Sequence, residues 1–365
     1  MGVPEKIKKL EDDIHKTQVN KKTEHHIGLL RAKIAKLKAE QEEQRSRRSG
    51  ARLGYDVRKS GDATVVLIGL PSVGKSTLLN RLTNAKSKVA AYQFTTLDVV
   101  PGVMEHSGAK IQVLDLPGII KGASSGKGLG KRVLAVARSA DLVLFVVDVF
   151  QPEARELLER ELRTTGIRVD ERPPNIVIEK VDSGGISVTS QVKLTRVSEP
   201  LVKDILRVYD VNGARVVIRE DITDDQLVDV LSGNRVYAPS LTVMNKIDLV
   251  NTGFTSELGR KLGYGFVPVS AESDMNIQAL KEEIYKRLDF VRIYMRRRTG
   301  ETDFEEPMML RGGATIGDVC DKVHRAMKDE FRYAQVWGKS VKFGGQRVGI
   351  AHRLMDQDVL TIVTK

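Results

Sequence analysis

Gly69-Leu70-Pro71-Ser72-Val73-Gly74-Lys75-Ser76 decides the fold. The stretch is a G-x-x-x-x-G-K-S match lying between an apolar run, Val65 to Ile68, and a helical pattern that continues to Leu82. A strand, a glycine-rich loop and a helix in that order are the context this motif needs. Glycines allow backbone N–H groups to turn inward around phosphate oxygens, and the helix N-terminus adds the positive end of its dipole. Lys75 supplies a point charge for β- and γ-phosphates, and the Ser76 hydroxyl is a ligand for Mg²⁺. Pro71, Ser72, Val73, Gly74, Lys75, Ser76 and Thr77 are therefore the candidate phosphate-binding residues.

Working outward from this loop, short apolar runs recur at 65–68, 111–114, 142–147, 241–244 and 266–269, with helical patterns at 76–82, 131–138 and 277–288 among them. That alternation predicts an α/β fold, a doubly wound and mostly parallel sheet covered on both faces. Residues 97–105 and 110–115, joined around Ser107-Gly108, read as a hairpin that adds one antiparallel strand. Four further elements then fall at strand ends, where open α/β sheets bind ligands. Asp115-Leu116-Pro117-Gly118 ends the 111–114 strand; Asp115 is placed to hold Mg²⁺ through a water, and Gly118 lets a backbone N–H approach the γ-phosphate. Asn245-Lys246-Ile247-Asp248 follows the 241–244 strand. The Asp248 carboxylate can accept from guanine N1–H and from the exocyclic amine, whereas adenine would leave it unpaired. The Lys246 stem can cover the base, and Asn245 can brace the loops. Ser270-Ala271-Glu272 follows the 266–269 strand, with backbone N–H groups in position for guanine O6. In Phe94-Thr95-Thr96-Leu97, one threonine is expected to reach Mg²⁺ and the γ-phosphate, and the residues alone do not choose which.

The rest of the chain bounds what this engine is attached to. Of 365 residues, 41% are hydrophobic and 29% charged, a composition of soluble globular domains, and the length predicts more than one. No apolar run approaches the roughly 18 residues of a membrane span, and the charged N-terminus lacks a signal-peptide pattern. One cysteine, Cys320, excludes an internal disulfide framework. The expectation is a cytoplasmic protein without a membrane partner. The net charge of +11 is uneven: residues 1–60 carry 16 Lys/Arg against 9 Asp/Glu, residues 290–365 carry 14 against 10, and the middle is balanced. Basic flanks around a neutral core point to a polyanionic partner, RNA or the ribosome.

Four pieces are expected. Residues 1–60 read as a basic helical hairpin, with Ile7, Leu10 and Ile14 on one helix and Ile27, Leu30, Ile34 and Leu37 on the other. Its tail, Arg45, Arg47 and Arg48 with 50–61, reads as a linker. Residues 61–164 plus 238–289 form the phosphate-binding domain. Residues 165–237 interrupt it as a small α+β insert, with strands at 176–178 and 186–188 and helices at 200–209 and 224–231. Residues 290–365 form a last small unit, with a strand at 308–310, a helix at 316–327 and a final strand at 359–363. No internal repeat and no low-complexity tract is evident.

With 94–97, 115–118 and the glycine-rich 122–130 in view, the chain resembles the Obg-type GTPases, and more closely the developmentally regulated GTP-binding (DRG) proteins. Arg172-Pro173-Pro174-Asn175-Ile176, Gly233-Asn234-Arg235-Val236-Tyr237 and Val336-Trp337-Gly338 support the match over essentially the whole chain. The resemblance implies a P-loop GTPase hydrolysing GTP to GDP and phosphate. It implies a C-terminal β-grasp unit of the TGS type, an insert of a kind shared with a ribosomal protein domain, and a role at the ribosome or in translation. It selects Thr96 as the Mg²⁺ ligand, makes 122–130 the second switch, and gives Lys75, Thr96 and Gly118 as the catalytic set. Potassium is a candidate second cofactor beside Mg²⁺, although relatives that use it often carry Asn where this chain has Ser72. A dedicated stabilising partner protein is known for some relatives. Ile119 departs from Ras-like enzymes, which place a water-orienting Gln there; an alkyl group cannot orient water, so slow intrinsic hydrolysis completed by a partner is expected. Two rivals stand beside this reading: an ATPase, against which Asp248 argues, and a non-catalytic RNA-binding or assembly module that holds GTP structurally.

Overall fold

The structure is a computed structural model; it describes residues 2–18, 20, 23–48, 61–83, 100–116, 136, 138–297 and 299–364. The expectations for Phe94, Thr95, Thr96, Leu97, Gly118, Ile119 and 122–130, and for most of the 131–138 helix, lie outside these residues. The chain divides into two compact units, Met1–Tyr55 with Gly166–Tyr237, and Asp56–Thr165 with Ala238–Lys365.

In the first unit the expected helices span Val3–Lys16 and Glu24–Arg48. Ile7, Ile27, Leu30 and Ile34 are buried, as their spacing requires. The second helix runs through Arg48, so Arg45, Arg47 and Arg48 are helical and not linker. The insert is a three-stranded sheet in the order Ile176–Lys180, Ala214–Ile218, Ile186–Ser190. Its outer strands pair antiparallel and parallel, respectively, with the middle one. The helices Glu199–Val208 and Asp224–Ser232 pack on it. Ser198 caps the first by accepting from the Leu201 N–H; a Thr223–Gln226 capping box opens the second, and Gly233 ends it in the left-handed conformation. Residues 1–60 and 165–237 read as separate pieces in the sequence. In the structure they share a core, with Ala32 of the hairpin fully buried among Leu201, Val202, Ile205 and Leu227.

The second unit is built on a six-stranded sheet. Its order is Val267–Pro268, Ser240–Asn245, Leu142–Asp148, Ala63–Ile68, Ala109–Asp115, Val100–His106. All neighbours are parallel except the last pair. Every residue of Ala63–Ile68 is buried, as a strand covered on both faces must be. Helices Lys75–Leu82 and Ile277–Arg287 pack on this sheet through Leu78, Leu82, Leu280 and Ile284. Helices Ala154–Thr164 and Thr252–Lys261 had no counterpart in the sequence reading. A five-stranded sheet follows, in the order Met308–Arg311, Phe290–Met295, Asp358–Thr364, Phe331–Trp337, Gln346–Val348. The helix expected over 316–327 is split into Ile316–Val323 and a 3-10 turn, Arg325–Met327. The two sheets join where Met309 and Phe290 enter the core of the first. Lys322 reaches Asp62, and Arg311 lies over the Phe290 ring. No helix among the described residues is long and apolar enough to cross a membrane.

One buried ionic cluster lies entirely within the first unit. The Arg168 guanidinium donates to both Asp229 carboxylate oxygens at 2.7 Å, and Arg235 Nε donates to Asp229 Oδ1 at 2.7 Å. Asp229 is 4% exposed and Arg168 6%. Removing the carboxylate leaves a buried guanidinium without its counter-ion, which costs about 3–5 kcal/mol. Asp229→Ala is accordingly expected to destabilise the first unit by that much, read as a lower urea midpoint, while Arg207→Ala on an exposed position of the helix Glu199–Val208 changes its stability by about 0.5 kcal/mol or less. Equal midpoints for wild type and Asp229→Ala would contradict the assignment.

Candidate nucleotide site

Parallel pairing sets the site. Leu67 lies opposite Asp115, Ile68 opposite Phe145, and Asp148 opposite Asn245, so four strands end side by side and their following loops share one edge. At the first of these ends the chain must leave the sheet tightly. A Cβ at Gly69 would lie 2.4 Å from the Val146 carbonyl oxygen, and one at Gly74 2.4 Å from Asn245 Nδ2. Ser72 and Gly74 take left-handed backbone conformations, φ 62° and 90°. These close approaches account for both motif glycines.

Within the loop, the Lys75 ammonium donates to the Gly69 and Leu70 carbonyls at 3.1 and 2.9 Å. Burial pushes its pKa below the ordinary lysine value, and the Asp115 charge opposes that shift. Ser76 Oγ donates to Asp115 Oδ2 at 2.5 Å. Asp115 is 7% exposed, and its Oδ1 is buried with no hydrogen-bond partner among the described residues. A buried carboxylate oxygen left unpaired beside a serine hydroxyl fits the oxygen donors that Mg²⁺ takes. Ser76 and Asp115 are thus brought together as expected. Among the described residues no three His, Cys, Asp or Glu side chains gather as an alternative metal centre.

The loop after Val267–Pro268 is tied to the Gly69–Ser76 loop by the side chain of Asn245. Asn245, 3% exposed, donates through Nδ2 to the Val73 carbonyl at 2.8 Å and accepts through Oδ1 from the Ala271 N–H at 3.0 Å. Lys246 sits at φ 67°, and its ammonium pairs with Asp148 Oδ2 at 2.7 Å. Asp248 falls in the short turn Ile247–Leu249 with its side chain exposed. Ser270-Ala271-Glu272, expected to offer backbone N–H groups to guanine O6, follows the strand Val267–Pro268. Ser270 donates to the Met275 carbonyl and Ala271 to Asn245, which leaves Glu272 as the one without a partner among the described residues.

Two functional residues escaped the sequence reading. Arg81, on the phosphate-loop helix, donates to the Ala271 and Glu272 carbonyls at 3.0 and 2.9 Å, fastening the base loop from behind. Asp148 was visible only as the charge closing an apolar run. The structure gives it the Lys246 ammonium and the Phe150 N–H.

Comparison with known proteins was made against this geometry. Residues 64–180 match a family described as 50S ribosome-binding GTPase, 183–290 the C-terminal region of that domain, and 291–364 the TGS domain. An uncharacterized GTP-binding protein of Methanocaldococcus jannaschii is 52% identical, over 100% of this chain and 94% of its own. Human developmentally-regulated GTP-binding protein 2 is 46% identical over 100% of both chains. Among solved structures, the Schizosaccharomyces pombe YchF GTPase aligns with a TM-score of 0.43 and 14% identity, covering 84% of this chain and 99% of that one. Aquifex aeolicus Era bound to GDP and AlF4⁻ aligns at 0.35 and 21%, covering 76% and 72%. No argument rests on scores this low.

Asn245→Ala would orphan the Val73 carbonyl and the Ala271 N–H, each at a cost of about 1–3 kcal/mol. The expected result is a lower melting temperature of the second unit even without ligand, read by calorimetry. An unchanged melting temperature would show that the amide bridges nothing that matters.

Proposed function

The chain belongs to the developmentally regulated GTP-binding protein family of Obg-type GTPases, and from that premise we propose that it hydrolyses GTP to GDP and phosphate as a switch read at the ribosome. The observation that carries this reading is the Asn245 bridge. One buried amide joins the phosphate loop at Val73 to the base loop at Ala271, so the two recognition surfaces are held at the two ends of one nucleotide.

The residues divide the work. Backbone N–H groups of the loop and the start of helix Lys75–Leu82 hold the phosphates. Lys75 exchanges its loop carbonyls for the β- and γ-phosphate oxygens, an exchange favoured because those carbonyls carry only partial charge. Ser76, Asp115 and Thr96 would hold Mg²⁺, which supplies charge neutralisation between the β- and γ-phosphates when bound. Gly118 brings a main-chain N–H to the γ-phosphate. With Thr96 and Gly118 drawn to that phosphate, both switch segments are ordered, and its loss releases them. Ile119 cannot align the attacking water, so an activator, a potassium ion or a ribosomal contact completes the site. The basic residues 1–60 and the TGS unit are the proposed carriers of ribosome contact, and the matched family's own description supports a ribosomal setting.

The guanine reading rests on Asp248. Asp248→Asn should weaken GTP binding about 100-fold, through two lost charge-assisted hydrogen bonds. It should also gain xanthosine triphosphate, whose C2 carbonyl accepts from the new amide. Equal affinity of both proteins for GTP, or displacement of labelled GTP by ATP from the wild type, would refute the role.

Hydrolysis has its own test. Multiple-turnover phosphate release is expected to be slow in sodium buffer and to rise when potassium or ribosomes are added. Co-sedimentation with ribosomes should be stronger with a non-hydrolysable GTP analogue than with GDP. GTP binding with no phosphate release under any of these conditions would instead favour a protein that holds GTP structurally.

A further inference from the structure

The first unit carries a second recess, a groove of about 650 Å³ between the helices Val3–Lys16 and Glu24–Arg48. Two short stretches meet there, Lys6-Ile7-Lys8-Lys9-Leu10 and Lys33-Ile34-Ala35-Lys36-Leu37, offset by 27 residues in the chain. The match is too short to register as a domain repeat, but the hairpin puts its two copies face to face. Ile7 and Ile34 are buried, while Lys6 and Lys9 line one wall of the groove and Lys33 and Lys36 the other. Leu10, Leu37 and Val208 give the lining its apolar part. One turn further on, Asp13 and Glu40 hold equivalent positions on the two walls.

Of the four lysines in the lining, one is engaged within the protein. Lys36 is engaged by Asp210 at 2.5 Å and lies 4.0 Å from Glu40. Lys6, Lys9 and Lys33 are exposed and have no ion pair among the described residues. The groove is therefore an aliphatic strip bordered by lysines on both sides, two helical turns or about 10 Å long.

We propose that this groove docks an acidic amphipathic helix of a partner protein, its apolar stripe on Leu10, Leu37 and Val208 and its carboxylates toward the two lysine walls. A helix presents anchors at i, i+3, i+4 and i+7, which matches a strip two turns long, and carboxylates flanking that stripe meet cations on both sides. Nucleic acid fits less well. Its phosphates would pair with the lysines but leave the apolar part of the lining, Leu10, Leu37 and Val208, without a counterpart, so the ribosome contact proposed above falls to basic residues of 1–60 outside this groove. The proposal is independent of the nucleotide reading, since no residue of the phosphate or base loops takes part.

The test uses the full chain and a labelled synthetic peptide with leucine at i, i+3, i+4 and i+7 and glutamate elsewhere, read by fluorescence anisotropy. Binding is expected, weakening with added salt. The Lys6→Glu/Lys33→Glu protein should bind about tenfold more weakly, whereas Lys8→Glu/Lys16→Glu, with the same charge change outside the lining, should bind as wild type does. Circular dichroism checks that the hairpin survives. Should the double variant unfold, Lys9→Glu alone carries the comparison, and wild-type affinity in it would overturn the proposal. No binding of the peptide to wild type would overturn it, as would an equal loss in both double variants. It would also fall if a single-stranded RNA oligonucleotide lost binding on groove substitution while the peptide did not.

Discussion

A single carboxamide at Asn245 ties the two halves of the nucleotide site together. It donates to the Val73 carbonyl of the proposed phosphate loop and accepts from the Ala271 N–H of the proposed base loop. Both bonds are made in a buried place, where an unpaired carbonyl or N–H is expensive. Neither loop can shift by an ångström without breaking one of them. Gly74 belongs to the same constraint, since the amide occupies the space that a β-carbon there would need. Arg81 adds a second tie from the phosphate-loop helix to the base loop, and Asp148 fixes Lys246 in its left-handed pose. The loop after Ala63–Ile68 and the loop after Val267–Pro268 thus rest on one hydrogen-bonded frame.

Much of this was legible because the relevant signals are local. A glycine pattern, an apolar strand before it and a helix after it are contiguous in the chain, and the strand-end motifs keep their order. The hairpin helices were legible from the spacing of Ile7, Leu10 and Ile14 and of Ile27, Leu30, Ile34 and Leu37. The middle strand of the insert, Ala214–Ile218, was missed, although Ala214, Val216 and Ile218 alternate buried with more exposed neighbours. Five residues of alternation beside Gly213 carry too little signal when both partner strands lie before the intervening helix Glu199–Val208.

The remainder was illegible for a different reason. That Arg81 would serve the 270–272 loop, or that the N-terminal hairpin would complete the insert's core, depends on pairings between residues nearly 200 positions apart. No period or composition encodes those. The same applies to the N–H groups of 270–272: that Ser270 donates to Met275 and Ala271 to Asn245 is an accounting that only the assembled backbone reveals.

The shared core of the hairpin and the insert has a consequence for how the polypeptide is made. Ala32 is buried against side chains from Leu201 onward, so about 170 residues must leave the ribosome before that partner surface exists, some 10–30 s at ordinary elongation rates. Throughout that interval the nascent hairpin can cover its apolar stripe only with itself, while the nucleotide-binding sheet is begun and then left open. Vectorial synthesis thus makes the earliest segment one of the last to find its place.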